Sequence, residues 1–125
     1  MPLPEKQVWE GLAVSTRIVN MVSAVSGKNE LLQRLAGEVG RIKAHGVRRL
    51  GLFGSFVRDE PNGHSDVDLL VEFQPGRKTF DNFMALADLL EELLQRRVEL
   101  VTTESLSPYI GPRILAEVQD VALGD

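Results

Sequence analysis

The residues of this chain with the clearest chemical potential are two aspartates, Asp66 and Asp68, one residue apart in the apolar run DVDLLVEF. In a β-strand, side chains two positions apart project from the same face, with their Cα atoms about 6.6 Å apart. Two carboxylates that close repel each other unless a cation lies between them. Mg²⁺ commonly takes one or two protein carboxylates and leaves positions open for substrate phosphates. The aspartate pair therefore indicates a magnesium site.

A third carboxylate, Glu99, is the only charged residue in the short apolar run VELV, from Val98 to Val101. If that run is a strand beside the aspartate strand, Glu99 can reach the same face of the sheet. Three carboxylates there could hold two metal ions roughly 3.5–4 Å apart. They could equally hold one metal ion and supply a general base for an attacking hydroxyl.

A glycine-serine pair, Gly54-Ser55, follows the apolar run VRRLGLF and is typical of a phosphate-binding turn. Glycine lets the backbone approach a phosphate, and the Ser55 hydroxyl can donate to a phosphate oxygen. A helical turn after the glycine would add N–H groups. Arg58 lies close behind and could neutralise triphosphate charge with its planar guanidinium. These residues predict a phosphate grip that faces the metal site.

Each motif is weak alone. Gly-Ser pairs occur in many turns, and Asp-x-Asp in an exposed strand can be a solvated face. The two histidines, His45 and His64, have no partner at metal-ligand spacing, so we interpret them as structural. Tyr109 and the apolar stripe from Phe80 to Leu94 are interpreted as packing residues.

Hydrophobic periodicity and turn residues predict the elements that carry these motifs. An amphipathic helix is predicted from Leu31 to a stop at Gly46, and a loop joins the first two strands. The predicted fold class is α+β (α/β-type), a small mixed β-sheet with helices packed on it. The remaining predicted elements are strands at Val47–Gly54, Asp66–Phe73 and Val98–Val101, the loop Asp59–Ser65, and helices from Phe80 to about Gln95 and from Pro112 to about Val121.

Composition limits the classes of protein that fit. The 125 residues are 43% hydrophobic and 26% charged, which is typical of one globular domain. A net charge of −4 argues against nonspecific binding to the nucleic-acid backbone, and no cysteine is present for thiolate chemistry. No membrane span or secretory signal is evident, so we expect a cytoplasmic protein. Residues 1–27 are predicted to be an N-terminal extension or helix and residues 28–125 the domain. An alternative interpretation takes residues 1–20, which precede Met21, as an upstream extension from an alternative start.

Gly54-Ser55, ten intervening residues, Asp66-Val67-Asp68 and a later acidic strand residue together resemble the signature of the DNA polymerase β-like nucleotidyltransferase superfamily. The string GSFVRDEPNGHSDVDLLVEF resembles the minimal nucleotidyltransferase (MNT) family, and the resemblance covers Leu31 to about Gly124. It implies the polymerase β-like nucleotidyltransferase fold. It also implies nucleotide binding by Gly54 and Ser55, Mg²⁺ ligation by Asp66 and Asp68, and a third catalytic carboxylate at Glu99, a position that is commonly aspartate.

Small proteins of the MNT family resemble antitoxins that pair with HEPN-domain ribonuclease toxins. The resemblance implies a Mg²⁺-dependent protein adenylyltransferase that moves AMP from ATP to a tyrosine of the toxin and assembles with it as a hetero-oligomer. Direct contact with nucleic acid or membrane is not expected. Two alternatives remain open: an antitoxin that only binds and occludes its toxin, and a nucleotidyltransferase that acts on a small molecule.

Overall fold

A computed structural model describes residues 23–58, 61 and 65–123 of the chain. Most of the predicted extension and most of the predicted Asp59–Ser65 loop lie outside these residues. Val25 is fully buried in the core. Its N–H donates to the Leu94 carbonyl over 3.1 Å, and its carbonyl accepts from Arg96 Nε over 2.7 Å. The segment just before the first described helix is thus part of the packed body.

Four strands form one mixed sheet in the order β3-β2-β1-β4. β1 and β2 are antiparallel, β2 and β3 are parallel, and β4 is antiparallel to β1. The parallel pair is joined by a helical crossover, as such pairs require. This architecture confirms the predicted small mixed sheet with helices. The strands are β1 (Val47–Phe53), β2 (Val67–Phe73), β3 (Val98–Thr102) and β4 (Gln119–Asp120), and the helices are α1 (Lys28–Ala36), α2 (Val39–Ala44), α3 (Phe80–Leu94) and α4 (Gly111–Glu117).

The single helix predicted from Leu31 to Gly46 is wrong: the segment forms α1 and α2 with a break between them. Gly37 follows α1, and Glu38 adopts φ −128° and ψ 28°, outside the helical region. Glycine is a poor helix former, so the chain interrupts the helix there at little cost. The apolar residues on either side of the break still reach the core.

The C-terminal prediction also needs correction. The helix ends at Glu117 instead of about Val121, and the chain then adds β4, which the sequence did not predict. β4 pairs Gly51 with Asp120 and Leu52 with Gln119. A strand of two residues has no periodicity that a sequence pattern can detect.

The core lies between the helices and the sheet, and Val67, Leu69, Val71 and Phe73 of β2 are buried in it. Leu70, on the opposite face of β2, is buried as well. Two residues interpreted as packing residues are instead exposed. Phe80, the first residue of α3, is 77% exposed, and Tyr109 is 89% exposed. Among the described residues, no helix is long and apolar enough to cross a membrane.

Candidate functional site

Strand pairing brings the predicted site residues to one end of the sheet. Phe53, the last residue of β1, pairs with Asp68 of β2, and Asp68 pairs with Glu99 of β3. Gly54 follows directly after Phe53. Asp68 and Glu99 therefore lie side by side, and Gly54 begins the turn next to them. The prediction that VELV lies beside the aspartate strand is confirmed.

Asp66 lies just before β2, which begins at Val67, so the predicted strand start at Asp66 is one residue early. The backbone on both sides of Asp66 is fixed by the segment that leads into β3. The Ser65 carbonyl accepts from Arg96 Nη1 over 2.9 Å, and the Val67 N–H donates to the Arg97 carbonyl over 2.9 Å. These two hydrogen bonds hold Asp66 at the same end of the sheet as Asp68.

The glycine at position 54 is required by both its conformation and its surroundings. Its φ is +81°, and a Cβ atom there would overlap the carboxylate of Asp68. The predicted helical turn is present as a 3₁₀ turn from Gly54 to Phe56, and the Phe56 side chain is fully buried. The Arg96 guanidinium carbon lies 5.1 Å from the centre of the Phe56 ring. The turn is thus anchored in the core and packs directly on Asp68.

A residue that the sequence did not single out, Glu117 at the end of α4, contacts this turn. Its Oε2 accepts from the Gly54 N–H over 2.8 Å, and its Oε1 accepts from Arg58 Nη1 over 2.9 Å. The guanidinium that we predicted to neutralise triphosphate charge is therefore ion-paired with Glu117 in this structure. The predicted role of Arg58 in nucleotide binding stays a prediction.

The carboxylates of the site crowd Asp68. The pKa of Asp68 is raised to about 6, and the largest cause is the loss of solvation of its carboxylate. The negative charges of Glu99, Asp66 and Glu117 act in the same direction, and only the positive charge of Arg58 opposes them. The structure thus brings Asp68 within electrostatic reach of the other two predicted carboxylates.

The donor chemistry of this group fits a hard divalent cation. Among the described residues, Asp66, Asp68 and Glu99 have no hydrogen-bond or ion-pair partner for their side chains. In the same part of the chain, no three acidic, histidine or cysteine side chains lie close enough together to form a metal-binding group, so a third carboxylate does not join Asp66 and Asp68 in this geometry. A cation would offset the repulsion that raises the pKa of Asp68. The residues that could hold it are Asp66 and Asp68, with Glu99 beside them.

An open cavity of about 280 Å³ adjoins the turn on the side of α4. It contains a second arginine, Arg113, which is exposed and which the sequence reasoning also missed. Two cationic side chains in one cavity beside a glycine turn suit a polyanionic ligand. The cavity is lined by Phe53, Gly54, Arg58, Ile110, Arg113, Ile114 and Glu117.

Glu117 could have been found from the helical spacing of its neighbours. Ile110, Ile114 and Glu117 are separated by four and three residues, so they share one helix face. A carboxylate on the inward, otherwise apolar face of a short helix is unusual unless it meets a donor. That signal indicates a hydrogen-bond donor beside the helix but does not identify Gly54 or Arg58 as the donors.

Comparison with known proteins identifies the family. The family model for the nucleotidyltransferase domain matches residues 32–121. A protein adenylyltransferase of Thermococcus cleftensis is 45% identical over 73 residues, which are 58% of this chain and 73% of the relative. A solved structure described as a "putative minimal nucleotidyltransferase" is 37% identical with a TM-score of 0.63, over 72% of this chain and 92% of that one. The structure of a tri-AMPylated HEPN toxin of Shewanella oneidensis in complex with an MNT antitoxin shares the fold, at 18% identity and a TM-score of 0.53, over 73% of this chain and 71% of that one.

Proposed function

This chain belongs to the nucleotidyltransferase domain family, in its minimal (MNT) form, and we propose that it transfers AMP from ATP to a tyrosine of a partner HEPN toxin. The modification would neutralise the toxin. The observation that carries the proposal is the pairing of Asp68 with Glu99 on adjacent strands, with the glycine turn that follows the third strand, β1, packed on the Asp68 carboxylate. The proposed catalytic domain spans residues 28–125.

Two relatives support the choice of reaction and partner. The Thermococcus cleftensis relative is a protein adenylyltransferase, so its acceptor is a protein. The Shewanella oneidensis complex pairs an AMP-bearing HEPN toxin with an MNT antitoxin. By analogy, ATP is the proposed nucleotide for this chain, and a HEPN toxin is the proposed partner in a hetero-oligomer.

Each site residue has a proposed role. The turn from Gly54 to Arg58 holds the triphosphate, with the Ser55 hydroxyl donating to a phosphate oxygen. Asp66 and Asp68, with Glu99 beside them, would hold Mg²⁺, which when bound supplies positive charge to the phosphates and leaving group. The phosphate-binding turn and the carboxylates lie at the same end of the sheet, so both can contact one bound nucleotide.

The reaction itself is a displacement at phosphorus. A carboxylate of the site accepts the proton of the toxin tyrosine hydroxyl, and the tyrosine oxygen attacks the α-phosphorus of ATP. The bond between the α-phosphorus and the oxygen that bridges to the β-phosphate breaks, and pyrophosphate leaves. The products are a tyrosine–AMP phosphodiester and pyrophosphate.

The proposal is tested by mixing the chain with a HEPN toxin, ATP and Mg²⁺ and measuring the intact mass of the toxin. We expect a gain of one or more AMP groups and loss of toxin ribonuclease activity. The double variant Asp66→Asn, Asp68→Asn should give no mass gain. Glu72→Gln, on the same strand as Asp68, is the matched control and should act as the wild type does.

One control concerns self-modification. Tyr109 is the only tyrosine of the chain and is 89% exposed, so Tyr109→Phe removes a competing acceptor from the assay. If the toxin is neutralised without any gain in mass, the chain is an occluding antitoxin and the proposed transfer is wrong.

A further inference from the structure

Glu117 connects the last turn of α4 to the predicted phosphate-binding turn through two hydrogen bonds of 2.8 and 2.9 Å. Each carboxylate oxygen accepts from a different donor, Gly54 N–H and the Arg58 guanidinium. These donors are the first and last residues of the Gly54–Arg58 turn, which is the 3₁₀ turn Gly54–Phe56 extended by two residues. A single side chain from 63 residues further along the chain therefore spans the whole turn.

The same contact extends to the metal-binding side of the site. Gly54 lies between two carboxylates: its N–H bonds to Glu117, and its Cα packs so closely on Asp68 that no Cβ fits. A shift of the Gly54 peptide would therefore move the surface on which Asp68 rests. Glu117 is thus mechanically connected to both predicted halves of the site through one residue.

The Glu117 carboxylate supports the turn without occupying the Ser55 hydroxyl, which is the group expected to bind phosphate. Among the described residues, the Ser55 hydroxyl has no hydrogen-bond partner, so Glu117 does not use the group that we expect to donate to phosphate. Glu117 can therefore stay in place while a triphosphate binds.

We propose that Glu117 is a positioning residue that holds the Gly54–Arg58 turn in the form that binds the nucleotide triphosphate. The proposal rests on the proposed function, because it assigns the turn to the nucleotide. Glutamine at this position cannot replace glutamate, because it has one acceptor oxygen and its amide nitrogen would face a donor. Aspartate keeps both oxygens but is one methylene shorter, so it cannot reach both donors from the same helix.

The test compares wild type, Glu117→Gln and Glu117→Asp in two measurements. The first is the affinity for AMP-PNP with Mg²⁺ by titration calorimetry. The second is hydrogen exchange of the Gly54 amide in the nucleotide-free protein, followed by NMR. The matched control is Glu92→Gln, which removes a different glutamate–arginine pair, to Arg41 at 3.8 Å.

We expect Glu117→Gln to weaken AMP-PNP binding about tenfold, the scale of one lost charge-assisted hydrogen bond, and to speed exchange of the Gly54 amide. In transfer assays the KM for ATP should rise more than kcat falls. Glu117→Asp should show the same changes to a smaller extent, and it serves in place of Glu117→Gln if that variant does not fold. Glu92→Gln should change neither measurement.

Three results would overturn the proposal or its basis. Binding by the Glu117 variants within about twofold of wild type would remove the positioning role while leaving the proposed function intact. Tighter binding by the variants would mean that Glu117 competes with the nucleotide. If the wild-type chain itself fails to bind AMP-PNP with Mg²⁺, both this inference and the proposed function are wrong.

Discussion

Replacing Asp68 with asparagine should stabilise the metal-free protein while abolishing AMP transfer. Asp68 is a half-buried carboxylate near three other negative charges, and it has no hydrogen bond or ion pair among the described residues. Asparagine has nearly the same shape but no charge. The substitution therefore removes repulsion and an unfavourable desolvation without removing a contact that stabilises the fold. Active sites often contain groups such as this charged carboxylate, which lower the stability of the fold but are needed for activity.

The size of the gain follows from the pKa of Asp68, which is raised from 3.8 to about 6. A pKa difference of roughly 2 between the unfolded and native states corresponds to about 3 kcal/mol, since a pKa difference of 1 is worth about 1.4 kcal/mol. Because the Asp68 side chain is only half-buried, solvent screens much of this electrostatic cost. We therefore expect Asp68→Asn to raise the free energy of unfolding by about 1 kcal/mol. For a domain of this size, that raises Tm by about 4 °C.

The gain should depend on pH with a definite sign. Between about pH 4 and 6 the native state keeps a proton on Asp68 that the unfolded chain has lost, so wild-type stability falls as pH rises through this window. The advantage of Asp68→Asn should therefore be complete above about pH 6 and vanish towards pH 4. Urea unfolding in EDTA at several pH values measures it.

Glu72→Gln provides the control for that experiment. Glu72 lies on the same strand, and its carboxylate is within 3.8 Å of Arg48 and of Arg49. Its neutralisation should leave stability unchanged or lower it by up to about 1 kcal/mol. If Asp68→Asn is no more stable than wild type at pH 7.5 in EDTA, or if its advantage persists at pH 4, the crowding of carboxylates around Asp68 is not as described.

Further predictions concern the turn, the core and the metal. Gly54→Ala should lower the free energy of unfolding by about 2 kcal/mol and abolish transfer, because alanine meets both an unfavourable φ and the Asp68 carboxylate; urea unfolding and the mass assay check both. Leu69→Ala, in the fully buried centre of β2, should cost about 2–5 kcal/mol, whereas Leu115→Ala, 56% exposed, should cost no more than about 0.5 kcal/mol in the same unfolding measurement. EDTA should stop transfer to the toxin, and added Mg²⁺ should restore it, whereas a metal-independent mass gain would contradict the assigned role of the carboxylates.

The sequence predicted those parts of the site that depend on local pattern. Gly54 ends a recognisable apolar run, and Asp68 and Glu99 lie in two other runs whose parallel pairing follows from the helix between them. In the observed register, Asp68 lies directly opposite Glu99. The mixed sheet is predictable for the same reason, because each strand is long enough to show its own hydrophobic pattern.

The parts that the sequence did not predict depend on contacts between distant segments. Glu117 is one carboxylate in an ordinary short helix, and its importance comes from Gly54 and Arg58, about 60 residues earlier. β4 exists because it pairs with the edge of β1, which no local pattern records. Gly51 of β1 indicates that another segment packs closely there, because glycine in a buried strand often marks a close approach. A Cβ atom at Gly51 would lie 2.5 Å from Val118 Cγ2, next to β4.

We propose that this chain transfers the AMP part of ATP to a HEPN toxin. The most direct measurement incubates the chain and a HEPN toxin with Mg²⁺ and ATP labelled at either the α- or the γ-phosphate, and follows label on the toxin. We predict that the α-label appears on a toxin tyrosine, that the γ-label never does, and that Asp66→Asn with Asp68→Asn prevents the transfer. Absence of the α-label from a toxin that the chain nevertheless neutralises, or transfer of the γ-label, would contradict the account.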